Sequence, residues 1–211
     1  MWWKSTPRFF AKEQEKLAIK YPSLNFIIEG KIVFIRGKIQ IADIAEFSIE
    51  IKLLDDYPTS LPEVKEIGGK IFRSDERHIN EDGTCCLTIP AKIHQDLGKN
   101  YSIVTFIEIF VIPFFANQIY YEINGVWANG DYSHGEKGLL EFYSELLETK
   151  SHEMVADLMK ISLQPFPKLS QKCPCKSGKR LKKCHFNGVI LLKKIPLIQI
   201  SSDYQKMFLA S

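Results

Sequence analysis

Strict alternation marks residues 46–54: Phe47, Ile49, Ile51 and Leu53 are apolar, while Ser48, Glu50 and Lys52 are polar. An extended strand with one buried and one wet face requires this period of two. Two less regular apolar runs precede it, at 25–29 and 31–41, set apart by Gly30 and by the turn before Phe47, so the three predict an antiparallel meander. Before them, residues 7–21 place Phe10, Leu17 and Ile19 at imperfect helical spacing behind Pro7, which predicts an N-terminal helix. After them, Pro58 and Pro62 force an extended path off the sheet, and a short strand is expected at 64–67. Residues 103–123 then predict a largely buried helix, bent at Pro113. Leu139, Phe142, Tyr143 and Leu146 recur at helical spacing, and Met154, Val155, Leu158 and Met159 extend the helical region after a break. Helix, meander, irregular segment and helices in that order predict an α+β fold.

Charge divides this picture. Through Asp157 the chain carries 17 Lys+Arg against 24 Asp+Glu, and from Leu158 onward 11 against 1. With the stiff Pro165-Phe166-Pro167 run close by, the break suggests a domain over 1–160 and a basic module over 161–211. At 211 residues and 45% apolar composition, the chain can fill one ordinary core and carry a small appendage. Residues 1–8 lack the apolar core of a signal peptide, and the greasiest run, 103–115, is broken by Glu108 and Pro113 and too short to span a bilayer. No membrane association is expected. The five cysteines form an adjacent pair and a compact cluster rather than a dispersed disulfide framework, so the expected compartment is the reducing cytoplasm.

The cysteines carry the chemistry. In the segment from His78 to Leu87, Asn80 precedes the Cys85-Cys86 pair by a few residues. A thiolate can accept an acyl group as a thioester, and an amide N–H can stabilise the oxyanion formed when that thioester is attacked. Adjacent extended residues point to opposite sides, so Cys85 and Cys86 should not both face one substrate channel, and the thiol turned away reads as a small buried residue. The alternative reading of Asn80 is a turn former bonded to its own loop, and His78 reads as a structural histidine rather than a proton carrier. Near the other end, Cys173, Cys175, Cys184 and His185 supply four soft ligands within one short segment, the donor set of a structural zinc site with no open position for a catalytic water. So short a segment is expected to depend on metal for its core. Seven basic residues crowd it between Lys168 and Lys183, and without interleaved aromatics, docking to an acidic protein is favoured over nucleic acid. The apolar runs 189–192 and 197–200 read either as strands or as segments packing back on the main domain.

The order of helix, three strands, the Tyr57-Pro58 to Pro62-Glu63-Val64 run, His78-x-Asn80 and Gly83-x-x-Cys86-Leu87 resembles the ubiquitin-conjugating enzyme fold. Ile79 stands where that family has proline, the Asn80 to Gly83 interval is shorter, and an extra thiol precedes Cys86, departures that resemble the prokaryotic branch. The resemblance implies Cys86 as the thioester-forming residue, Asn80 as the oxyanion-stabilising amide and His78 as an organiser of the loop. The run from Gly130 to Gly138 resembles a His-Gly segment of prokaryotic relatives, which would set His134 at the mouth of the site to help an incoming amine lose its proton. Cys173 to His185 resembles the SEC-C motif, a small zinc-binding module. Such relatives serve ubiquitin-like conjugation, or attachment of a cyclic-nucleotide synthase through its C-terminus, in antiphage defence. The implied partners are a ubiquitin-like protein or another protein's C-terminus, together with a separate activating enzyme, because no polar triad or phosphate-cradling glycine loop offers hydrolase or nucleotide chemistry. Two other classes stand beside this acyl transferase: an inactive binding module, and a zinc-dependent adaptor.

Overall fold

The computed structural model describes residues 1–98, 101–128, 132–165 and 167–209. In chain order the elements are α1 (Trp2–Ser5), α2 (Pro7–Lys20), β1 (Leu24–Glu29), β2 (Ile32–Ile41), β3 (Ala45–Leu53), β4 (Glu63–Glu66), α3 (Pro90–Leu97), α4 (Ile103–Phe106), α5 (Ile112–Asn124), α6 (Gly135–Leu146), α7 (His152–Leu163), α8 (Phe186–Leu192) and α9 (Leu197–Phe208). Short 3-10 turns cover Asp75–Arg77 and Leu181–Lys183. The described residues pack as two compact units, one from 1–88 and 101–128, the other from 89–98 and 132–209. The fold is α+β, as the hydrophobic pattern predicts. The packing boundary falls elsewhere than the compositional one at 160/161: α6 and α7 share a core with the cysteine-rich segment.

In the first unit the meander is realised as one antiparallel sheet in the order β1-β2-β3-β4. Register pairs Ile35 with Ile51, Ile39 with Phe47 and Ile51 with Val64, so Val33, Ile35, Ile39, Ile49, Ile51, Leu53 and Val64 are buried on one face. The opposite face is charged. Arg36, paired with Glu50 in register, donates to its carboxylate at 2.6 Å and to that of Glu29, and Lys52 meets its cross-strand partner Glu63 at 2.8 Å. Opposite charges directly across a ladder support the register.

The run expected as one buried helix is helical from Ile103 to Asn124 but not uniform. Residues Ile107–Val111 form a π turn immediately ahead of Pro113. A proline lacks an N–H and its ring crowds the carbonyl four residues back, so a locally wider turn accommodates it inside a helix. The helix start is fixed from α2: the Glu13 carboxylate, 1% exposed, accepts the Ile103 N–H at 2.6 Å and the Tyr57 hydroxyl at 3.0 Å. A carboxylate there satisfies an orphan N–H and the positive end of the helix dipole. Burial, and then Glu13, push the Tyr57 ionisation upward, keeping its hydroxyl a donor. Among the described residues this 22-residue run is long and apolar enough to cross a membrane by length and composition, more than the shorter stretch read from the sequence, and half of its most apolar window is buried in the fold.

The second unit is helical. Phe142, Tyr143 and Leu147 from α6 and its end, Val155, Leu158 and Met159 from α7, Val189 and Leu192 from α8, and Ile200 from α9 bury together with Ala91 of α3. The runs at 189–192 and 197–200 are therefore helices, not strands. Among the described residues an acid lies within this core: Asp203, 1% exposed, accepts from the Tyr143 hydroxyl at 2.9 Å and from Gln199 Nε2 at 2.8 Å. Burial raises its pKa.

The start of α6 explains part of the His-Gly segment. Glu141 accepts both the Ser133 N–H and its hydroxyl at 2.8 Å, folding the chain back on the helix. A Cβ on Gly138 would fall 1.7 Å from the Ser133 carbonyl oxygen, so only glycine fits. Gly130 and Asp131 of that segment, and Phe166 of the proline run, lie outside the described residues.

Candidate functional site

The thiol segment is a tight hairpin. Residues Asn80 to Gly83 make a β-turn, the Gly83 N–H donating to the Asn80 carbonyl at 2.8 Å with Gly83 at φ +84°. Asp82 braces it by accepting the Thr84 N–H at 2.9 Å and its hydroxyl at 2.6 Å, bonds that lower the Asp82 pKa, the hydroxyl bond most. Beyond the turn, Asn80 N–H donates to the Thr84 carbonyl at 2.9 Å, Ile79 bridges Cys85 antiparallel, and Cys86 N–H donates to the His78 carbonyl at 2.8 Å.

Paired residues of an antiparallel ladder face the same way, and successive ones alternate. Ile79 and Cys85 therefore share one face, and both are buried. Asn80, Thr84 and Cys86 share the other, where Cys86 is half-buried and Asn80 exposed. Burial pushes the Cys85 thiol up to about 12, so it is a neutral, unreactive group near pH 7. The hairpin in turn continues the sheet: Cys85 N–H donates to the Val64 carbonyl at 2.7 Å, Thr84 bridges Lys65, and Lys65 Nζ reaches the Asp82 carbonyl at 2.8 Å.

Asn80 is engaged within this turn, its Nδ2 donating to Thr84 Oγ1 at 2.9 Å. The amide nitrogen carries two N–H donors, so the bond to Thr84 takes one of them. His78 is held in the left-handed region, φ +52°, after the 3-10 turn. His134 belongs to the second unit, where it is the residue before α6.

Sequence reasoning missed the residues that hold this loop from the end of the long helix. Arg77 Nε donates to Gln118 Oε1 at 2.9 Å, Gln118 Nε2 donates back to the Arg77 carbonyl at 2.7 Å, and Arg77 Nη1 pairs with Glu122 at 2.7 Å. Trp127 contacts the His78 imidazole. These partners lie more than 40 residues apart, and no local pattern announces them.

The second candidate centre is also a hairpin. Cys173 N–H donates to the Lys179 carbonyl and Leu181 N–H to the Gln171 carbonyl, both at 2.9 Å, around a Lys172–Arg180 bridge. Lys176 and Gly178, at φ +60° and +73°, turn the tip back. The Leu181–Lys183 turn then brings Cys184, and His185 precedes α8. One ligand atom from each of Cys173, Cys175, Cys184 and His185 lies within 4.8 Å of all the others. His185 Nδ1 is 3.2 Å from the sulfurs of Cys173 and Cys184, and the Cys175 and Cys184 sulfurs are 3.4 Å apart. A tetrahedral ion with bonds of about 2.0 to 2.3 Å sets its ligands about 3.5 Å or slightly more apart, so this donor set fits a metal with small adjustment. Ser177, with its hydroxyl 3.1 Å from Cys175 Sγ, favours the Cys175 thiolate, whereas burial disfavours that of Cys173.

The short hairpin draws on a core shared with neighbouring helices. Cys173 and Leu181 are buried among the helices of the second unit. All seven basic residues from Lys168 to Lys183 are exposed, and Lys176 pairs with Glu153 at 3.6 Å. No protein-family model matches this chain, and neither a curated protein nor a solved structure is significantly similar to it.

Proposed function

We propose that the protein is an acyl carrier of the ubiquitin-conjugating type. It takes a ubiquitin-like protein, or the C-terminus of a partner such as a cyclic-nucleotide synthase, as a thioester on Cys86 and passes it to an amine, in a bacterial defence setting. The observation that carries this reading is the Ile79–Cys85 bridge, which seals one thiol and turns the other to the face shared with Asn80.

In loading, the Cys86 thiolate attacks the carbonyl of an activated thioester and expels the donor's thiolate. In transfer, an amine attacks, the carbonyl oxygen takes up charge, and collapse expels the Cys86 thiolate while the amine gives up a proton to solvent or base. Thioester exchange is nearly balanced in energy, so the protein contributes positioning. An Asn80 N–H aimed at the oxyanion would be worth about 3 kcal/mol in the transfer step. The alternative, a binding module without catalysis, is favoured by the Asn80 bond to Thr84, which ties one of its two amide donors into its own turn.

The test is intact mass spectrometry of protein recovered from its native host with the activating partner present. Thioester chemistry gives a protein-sized adduct that reductant removes from wild type and from Cys85→Ser, and that becomes a reductant-resistant ester with Cys86→Ser. No adduct in any of the three would sink the catalytic reading.

We propose further that the Cys173/Cys175/Cys184/His185 set holds one structural zinc ion, three thiolates and an imidazole being a donor set that suits it. Metal analysis of the purified protein should return about one zinc per chain; any other ion in that ratio, or none, would overturn the assignment.

A further inference from the structure

The thioester reading uses His78, Asn80 and Cys86 but not what lies behind them. His78 adopts φ +52° and ψ +38°, a region that a residue with a Cβ keeps only when its surroundings hold it there. Part of the hold is on the backbone side: Gln118, 1% exposed, exchanges two hydrogen bonds with Arg77, the residue before, and the Tyr121 hydroxyl donates to Glu76.

The remainder is a stack of rings. The Arg77 guanidinium lies 5.0 Å over the Tyr121 ring, and the Tyr121 ring lies 4.7 Å from Trp127 at an interplanar angle of 32°. Trp127 in turn meets the His78 imidazole at 5.0 Å and 66°, an edge-to-face contact. Trp127 stands beyond the end of α5, after Gly125 has turned the chain at φ +69°. The stack therefore begins and ends on adjacent residues, Arg77 and His78, and closes on the loop whose carbonyl accepts the Cys86 N–H.

We propose that Trp127 is a positioning residue of the thiol face: it fixes the orientation of the His78 imidazole and, through the His78 carbonyl, the path of the chain at Cys86. Its kinetic consequence rests on the thioester reading; its geometric consequence does not. A flat ring is what the position needs, so phenylalanine should serve where alanine cannot.

Two readouts separate the claims. Trp127→Ala should shift the His78 imidazole proton resonances by about 0.2 ppm or more, the current of the ring packed edge to face being lost, and change the rate of Cys86 alkylation by iodoacetamide about threefold or more, read on the Cys86 peptide in a Cys85→Ser background. Trp127→Phe should keep both within half of those changes. In single-turnover transfer from loaded protein to an amine, Trp127→Ala should lower the limiting rate about five- to tenfold with half-saturation unchanged, as expected for a misplaced reacting group, and Trp127→Phe should recover most of it. Unmoved His78 resonances and unchanged alkylation in Trp127→Ala would overturn the positioning role, as would a Trp127→Phe variant as impaired as alanine. If wild type forms no thioester, the conjugation reading fails by itself, and resonance and alkylation still decide the role of Trp127.

Discussion

The two thiol hairpins differ in what they do with neighbouring sulfur. At Cys85-Cys86 the thiols are adjacent in sequence and an antiparallel bridge parts them to opposite faces, one sealed and one presented. At Cys173–His185 the ligands are spread over 13 residues, and a tight tip followed by a 3-10 turn gathers them into a cluster. Alternation isolates; reversal of the chain converges. The same residue type is thus presented as a single thiol in one place and gathered into a cluster of four donors in the other, and backbone geometry, not composition, makes the difference.

The sharpest way to break this comparison is to remove metal. If the second hairpin is a ligand cluster, a strong chelator should lower the thermal midpoint of the second unit by at least ~10 °C, the loss being several kcal/mol out of the ~10 to 16 available to short metal-dependent modules, since here the helical core remains. Calorimetry should show the first unit's transition unmoved; a shift of both, or of neither, would count against a local structural ion.

Next in size is Gly138→Ala. The added methyl must displace the Ser133 carbonyl, and about 2 to 3 kcal/mol should be lost in chemical denaturation. A loss below ~0.5 kcal/mol would show that the turn before α6 yields freely.

The support of the cluster's core can then be read by pH. Asp203 is buried with a raised pKa, so as pH climbs from about 3.8 the unfolded chain ionises first and stability falls until the folded pKa is passed. Relative to Asp203→Asn, wild type should therefore gain stability on acidification from neutrality toward pH 4. A difference that does not change with pH would mean that the carboxyl ionises equally in both states.

The smallest effects concern the first hairpin. Cys86→Ser should change stability by less than about 0.5 kcal/mol and Cys85→Ser, which puts a hydroxyl into a buried site, by about 1 to 2 kcal/mol. Timed alkylation at pH 8 with peptide mapping should mark Cys86 before Cys85, whose thiol is pushed up to about 12. Labelling in the opposite order would reverse the assignment of the two faces.

Much of this was legible in the residues. The alternation at Phe47 to Leu53, the helix behind Pro7 and the four-ligand segment each depend on local spacing, and each forms where the spacing puts it. What failed to show was non-local. The run Val189 to Leu192 is too short to reveal its period, and α9 hides its buried stripe because Asp203 interrupts it beside Ile200. Helix α3 begins with Pro90, a start signal, but Ile89 before it offers no capping side chain. The Arg77–Gln118 clasp and the ring stack ending at Trp127 join segments far apart in the chain, and only folding brings them together.

The bond from Cys85 N–H to the Val64 carbonyl makes the thiol segment sensitive to insertions and deletions. It counts the thiol hairpin residue by residue from the edge of the sheet, so the sulfur that looks outward is decided by parity. A one-residue slip where Thr84 meets Lys65 would exchange the two thiols while every cysteine stayed in the gene. Spacing therefore decides which thiol is presented as strongly as residue identity does, and a single-codon deletion inside the turn would bury Cys86 and present Cys85 in its place.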